Sequence, residues 1–180
     1  DLVERYNKNI LTCTRQFAYS TQNNNTIDVV LSLNGIPIVA LELKNQLTGQ
    51  SVDNAKRQFM YDRDEKEFCF RFNNRFLVYL AVDLYEVAMT THLQGDKTYF
   101  LPFNQGSNGA GNVGDGGNPE CKDGYATSYL WERVLSPDML LSILQRYISK
   151  QTTESIALVK GRKVASKKTI LIFPRYHQLD

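Results

Sequence analysis

The chain is expected to fold as a mixed α/β domain, a mixed β-sheet flanked by helices in the order αβββαβ. Three kinds of stretch carry that expectation. "IDVVLSLNGIPIVALELKN", from Ile27, is two apolar runs around Asn34-Gly35, the turn chemistry of a β-hairpin. "RFLVYLAVD", from Arg75, is almost continuously apolar and β-prone, which suits a strand buried on both faces. "SVDNAKRQFMYDRDEK" and "SPDMLLSILQRYI" repeat their apolar residues at helical spacing. Strands and helices that alternate within 180 residues suit one domain with room for a short appendage.

Each element follows from local chemistry. "DLVERYNKNI" gives one or two helical turns, with Leu2, Val3 and Tyr6 on one face. A strand is expected near 12–19, where "LTCTRQFAYS" alternates and is rich in Thr and aromatics. "TQNNNT" is a turn, the hairpin strands fall at 27–33 and 36–44, and "QLTGQ" is a loop. Ser51 caps the next helix, whose apolar face is Val52, Ala55, Phe59 and Met60. After the central strand at 75–83, "EVAMTT" and "KTYFLPF" are two shorter strands around Gly95-Asp96. Residues 104–118 are mostly Gly and Asn and are expected to be a mobile surface loop. Ser136 as N-cap and Pro137 at the first helical position open a helix with Leu140, Leu141, Leu144, Tyr147 and Ile148 as its stripe. Residues 149–168 are polar and basic, a linker or flexible arm, and "TILIFPRYHQLD" is a short strand stopped by Pro174.

Bulk composition excludes several classes. The chain is 42% hydrophobic and 22% charged, an ordinary soluble balance. A net charge of +2 is too small to argue for nucleic acid by itself, but many basic residues fall late: Lys160, Arg162, Lys163, Lys167, Lys168 and Arg175. Cys13, Cys69 and Cys121 are odd in number and far apart, without a C-x-x-C pair, which argues against a disulfide scaffold or zinc knuckle and for a reducing cytoplasm. His92 and His177 have no Cys partner nearby, so a His-metal or Cys-His nucleophile site is not expected. No run approaches the roughly 18 apolar residues of a membrane span. No signal peptide opens the chain, and a start at Asp1 suggests a missing upstream segment.

The hairpin carries three charges where a buried sheet wants apolar residues: Asp28, Glu42 and Lys44. A plain two-residue turn would set Asp28 opposite Leu41, with Asp28 and Glu42 on opposite faces. A three-residue loop with a bulge at Gly35 would pair Ser32 with Ile36, Val30 with Ile38 and Asp28 with Ala40. The second register satisfies the hydrophobic pattern and is the one expected. It puts Asp28, Ala40, Glu42 and Lys44 on one face, and Ile27, Val29, Leu31, Leu33, Val39, Leu41 and Leu43 on the other. Asp28 and Glu42 then become diagonal neighbours, with Cβ atoms about 7–8 Å apart or less. Two carboxylates and the Leu43 carbonyl can serve Mg²⁺, which prefers oxygen ligands and keeps several waters. Lys44 could orient a metal-bound water or stabilise developing charge, the chemistry of phosphodiester hydrolysis. Pattern alone leaves this even with a plainer reading, in which Glu42 and Lys44 are a solvated strand end and Asp28 a turn-side residue.

An Asp, a hairpin and then Glu-x-Lys resemble the PD-(D/E)xK nuclease superfamily. "LNGIPIVALELKN", "LTGQ", "DRD", "FLPFNQG", "GYATSYLWE", "LLSILQRYI" and "IFPRYHQLD" look like the N-terminal portion of the restriction subunit of type I restriction–modification enzymes. The resemblance covers nearly the whole chain, in the same order. It implies a restriction-endonuclease-like core, with a nuclease domain at 1–148, a basic linker at 149–168 and the start of a helicase-type motor at 169–180. It makes Asp28 and Glu42 the metal carboxylates and Lys44 the catalytic lysine, with Mg²⁺ as cofactor. The family's helical Gln in a Q-x-x-x-Y pattern corresponds to Gln58, although position +4 is Asp62 and the nearby aromatic is Tyr61. The Pro that precedes the first Asp in the superfamily is Ile27 here. Glu4 is a candidate for an acidic residue on the first helix, and Tyr176 and Gln178 for adenine contacts. ATP is expected only in the full subunit, because no G-x-x-x-x-G-K-[ST] occurs here. Implied partners are double-stranded DNA and the methyltransferase (M) and specificity (S) subunits, in the cytoplasm of a prokaryote, with no membrane.

Arg57 and Arg63, with Lys56 and Lys66, are expected on the Gln58 helix, either tracking DNA phosphates or forming a solvated face. Trp131 is expected to pack rather than to stack on bases, and the Gly/Asn loop to be a tolerated insertion. The leading expectation is a Mg²⁺-dependent DNA endonuclease domain coupled to a motor. The alternatives are a non-catalytic nucleic-acid-binding or subunit-docking domain of the same fold, and a stand-alone junction resolvase.

Overall fold

Asn34 and Gly35 both lie in the left-handed region, at φ 52° and 80°, as a two-residue hairpin turn requires. The turn joins β2 (Thr26–Leu33) to β3 (Ile36–Leu43). β1 (Leu11–Ala18) pairs antiparallel with β2. On the other side, β4 (Val78–Val82) runs parallel to β3, followed by antiparallel β5 (Val87–Thr90) and β6 (Leu101–Pro102). The six strands lie side by side in chain order. The single parallel pairing needs a crossover, and α2 (Val52–Tyr61) supplies it. With α1 (Leu2–Asn7) before the sheet and α3 (Pro137–Arg146) after it, this is the mixed α/β arrangement expected. The computed structural model describes residues 1–122, 124–159 and 162–179.

β4 is buried along its whole length, and its alternation divides the core in two. Val78, Leu80 and Val82 face the layer that holds Leu140 and Ile143 of α3, together with Phe103, Phe173 and Tyr176. Tyr79 and Ala81 face α2, packing with Val52, Ala55 and Phe59 and with Phe70 and Phe76 beyond it. The two layers explain why this strand reads as continuously apolar.

The hairpin register differs from the expected one. Leu33 pairs with Ile36 and Ser32 with Pro37, then the pairing shifts, and Val30 lies opposite Ala40 and Val29 opposite Leu41. The turn is the tight two-residue form, because Asn and Gly both tolerate positive φ. The extra residue that restores the faces is taken up inside β3, next to Pro37, which lacks a ladder donor. Ile27 also departs from expectation and joins the α2-side core. The β1–β2 ladder is interrupted there, between the pairs Arg15–Val29 and Phe17–Ile27, where Gln16 has φ 51°.

Two further regions differ from the sequence reading. Residues 149–168 are not an irregular linker: β7 (Ser149–Val159) and β8 (Arg162–Ile172) form a separate antiparallel ribbon. Lys160 of the basic run lies outside the described residues. The Gly/Asn loop is tied at its base, where Gly106 N–H donates to Gly117 C=O (2.7 Å) and Gln105 N–H to the Asn118 side chain (2.8 Å).

Candidate functional site

Continuing the observed register by one pair sets Asp28 directly across from Glu42, on the α2 side of the sheet with Val30 and Ala40. The expected convergence is present through a different geometry, opposite rather than diagonal. Asp28 is fixed by two donors: Leu43 N–H reaches Oδ2 at 2.8 Å and Gln16 Nε2 reaches Oδ1 at 3.3 Å. The Leu43 backbone therefore lies against Asp28, where a carbonyl ligand was expected.

Glu42 is 0% exposed and sits beside Ala81 of the central strand. Its Oε1 accepts from Arg63 twice, from Nη2 at 2.6 Å and Nε at 3.1 Å. Its Oε2 has no hydrogen-bond partner. A buried carboxylate oxygen left in that state costs free energy, and a cation would relieve the cost. Burial pushes the Glu42 carboxyl up to about 7, with Arg63 pulling it down and neighbouring Asp28 raising it further. Desolvation plus the like charge thus outweighs a well-formed ion pair.

Arg63 was expected on the helix, facing either DNA phosphates or solvent. The helix ends at Tyr61, and Arg63 instead turns inward with its side chain 4% exposed. Beyond Glu42, its guanidinium donates to Thr26 C=O (2.8 Å) and Asp62 C=O (3.2 Å) and lies 5.4 Å from the Tyr19 ring centre. It ties β2, β3 and the end of α2 together beneath the two carboxylates. Sequence reasoning named Arg63 but missed its role as the partner of Glu42, which nothing in the quoted "DRD" signals.

Lys44 continues β3, two residues beyond Glu42, with its N–H donating to Val82 C=O (2.8 Å). Its side chain lines an open cleft of about 330 Å³ with Asn54, Arg57, Gln58, Tyr61 and Asp62. Lys44 and Gln58, far apart in sequence, are brought together there. Arg57 borders the same cleft, its guanidinium 5.8 Å from the Tyr61 ring centre. The helix that presents Gln58 is anchored by Asp83, at the end of β4. Asp83 Oδ2 accepts from Val52 N–H (2.8 Å) and Gln46 Nε2 (3.1 Å), and Oδ1 from Tyr85 and Glu86 N–H (2.8 Å each). A buried acid just after an apolar strand was the available signal for Asp83.

Other candidates lie elsewhere. Glu4 pairs with Lys8 on the surface (2.7 Å). Its helix is held at the turn end of the hairpin, where Ile10 N–H donates to Asn34 Oδ1 (2.8 Å) and Tyr6 OH donates to Asp138. Asp28 lies six residues along β2 from that turn, about 20 Å away at strand rise, so Glu4 is not brought to the carboxylates. Tyr176 is buried against Phe103 and Tyr129, and its hydroxyl accepts from Arg133 (2.9 Å). The Gln178 side chain accepts from Arg175 N–H (2.8 Å). Among the described residues, no group of three or more His, Cys, Asp and Glu side chains could hold a metal. Asp28 and Glu42 offer two carboxylates, fewer than such a group has.

The model of the type I restriction enzyme R protein N terminus matches residues 3–98. The chain belongs to that family. The matched segment of this R-protein N terminus runs from α1 past β5, so it includes Asp28, Glu42, Lys44, Gln58 and Arg63. Neither the curated proteins nor the solved structures gave a match. Among the described residues of this family member, no helix is long and apolar enough to cross a membrane.

Proposed function

We propose that this R-protein N terminus is a Mg²⁺-dependent DNA endonuclease domain that hydrolyses phosphodiester bonds of unmodified DNA. In the full subunit it would work with ATP-driven translocation, beside M and S subunits. The observation that carries the reading is Glu42: fully buried, one oxygen clasped by Arg63, the other unpartnered, with Asp28 across from it. Asp28 and Glu42 would hold the metal, since a hard cation with a partly aqueous shell needs few protein oxygens. When bound, Mg²⁺ would supply charge stabilisation and a more acidic water. Lys44 would place its ammonium against the non-bridging oxygens of the scissile phosphate and lower the charge that builds as water adds to phosphorus and the bridging P–O bond breaks. Gln58, across the cleft, would orient the attacking water or the phosphate. Arg57, on the cleft rim, would fix the DNA backbone without reading sequence.

The test is a Mg²⁺ or Mn²⁺ titration of the wild-type chain beside Asp28→Ala and Glu42→Ala. Both substitutions should remove most of the metal affinity. A second reading, a non-catalytic nucleic-acid-binding or docking domain, is favoured by one observation: Arg63 already supplies a positive charge to Glu42. Equal metal affinity in all three proteins would put that reading ahead.

A further inference from the structure

Among the described side chains, the β7–β8 ribbon shows no core of its own. It forms a sheet separate from the main one. Every residue of β7 from Ser149 to Ile156 is exposed, and so are Ala165, Ser166, Lys167 and Lys168 of β8. It meets the body at its base, where Leu171 is buried and its C=O accepts from Thr91 Oγ1 (2.8 Å). Two strands of 11 residues span about 36 Å. A two-stranded ribbon exposed on both faces is marginally stable in water, so its length calls for a partner.

Charge and chemistry say which partner. From 149 to 172 the sequence has six basic residues and one acidic one, while the whole chain carries only +2. The remainder of the chain is therefore net acidic, and the positive charge is concentrated in this segment of the sequence. Register puts Lys168 across from Thr153, and Lys167 across from Glu154 on the other face, so cations are presented on both sides. The Lys167–Glu154 pair (3.3 Å) is exposed at both ends, and such pairs are weak enough to exchange partners. Hydroxyls accompany the cations, paired across the strands at Thr152 with Thr169 (3.1 Å) and Ser155 with Ser166 (2.6 Å). Lys, Arg, Ser and Thr are the residue types that bond phosphate and sugar oxygens. The segment has no aromatic residue, the type most enriched among the anchors of a protein–protein interface. A ribbon two strands wide also fits the DNA major groove.

We propose that the β7–β8 ribbon is a DNA-binding arm that touches duplex phosphates without sequence preference, outside the cleft of Lys44 and Gln58. It rests on DNA being the substrate, and its test is made without metal, so that hydrolysis plays no part. Binding of the 180-residue chain to a mixed-sequence duplex would be followed by fluorescence anisotropy in EDTA over a range of NaCl concentrations. Replacing Lys167 and Lys168 together by Ala should weaken binding and lower the slope of log K against log salt by about 1.8, roughly 0.9 for each phosphate no longer neutralised. Glu154→Gln should tighten binding at low salt, an effect that a purely structural Glu154–Lys167 pair would not produce. An unchanged slope in the double variant overturns the proposal, as does a wild-type chain that does not bind duplex. Because Asp28 and Glu42 are untouched, loss of the metal-site reading leaves this result standing, and the reverse also holds.

Discussion

Replacing Glu42 by Gln should flatten the pH dependence of stability in the metal-free protein. In the folded chain this carboxyl is pushed from its ordinary 4.5 up to about 7, chiefly by burial. The folded state therefore binds a proton that the unfolded state has released between those two values. Stability then falls as pH rises through that window, and the loss is complete once pH exceeds the folded value. The gap corresponds to about 3 kcal/mol. Urea unfolding in EDTA at several pH values would measure it, taken as the wild-type curve minus the Glu42→Gln curve so that other carboxylates cancel. The difference should change by about 3 kcal/mol, most of it between roughly pH 5 and 7.5. Saturating Mg²⁺ should restore wild-type stability at the alkaline end, by about 2.7 kcal/mol at a hundredfold excess over Kd, and should leave the variant unmoved. Parallel curves for the two proteins would refute both the buried, unpartnered oxygen and the metal role built on it.

Three other outcomes follow from the same geometry. Arg63→Met removes both donors to Glu42 and those to Thr26 and Asp62, so it should destabilise the chain by about 3–5 kcal/mol at neutral pH. The cost should shrink at pH 5, where Glu42 can take a proton instead, as denaturant midpoints at the two pH values would show. Asp83→Ala leaves four donors without their acceptor and should cost about 3 kcal/mol or more, with faster amide hydrogen exchange in the first turn of α2 as the local signature. Lys44→Ala should keep metal and DNA affinity while cleavage by the assembled enzyme falls by about 10²–10³, measured on plasmid DNA with ATP present.

The elements around the site were legible because their signals are local. Asn34-Gly35 marks a turn from two residues, and the alternation of Val29, Leu31 and Leu33 with Asp28 and Ser32 marks two faces of a strand. The apolar spacing of Val52, Ala55 and Phe59 likewise places α2 against the sheet. Side-chain period in a strand is two residues, so Glu42 and Lys44 were bound to share a face wherever the strand paired. The match to the R-protein N terminus over residues 3–98 agrees with the resemblance carried by "LNGIPIVALELKN", "LTGQ" and "DRD"; the later motifs lie beyond the matched residues.

Tertiary structure decided everything that depends on which distant groups meet. The register could absorb its extra residue in the loop or beside Pro37, and the alternation of apolar residues alone does not separate the two; the folded hairpin takes the second. Arg63 reads as one more surface cation after a helix, yet the chain bends it under the sheet to meet a carboxylate 21 residues earlier. Glu4 and Tyr176 carry suitable chemistry, and the fold sets one on the far surface and the other in the core. The ribbon was invisible for the opposite reason: its polar and basic sequence shows no sustained hydrophobic alternation, and cross-strand pairing alone defines its strands. A sequence records the preferences of neighbours along the chain. Burial and ion pairing are set by neighbours in space, and those exist only once the sheet, α2 and the segment after it have closed around Glu42.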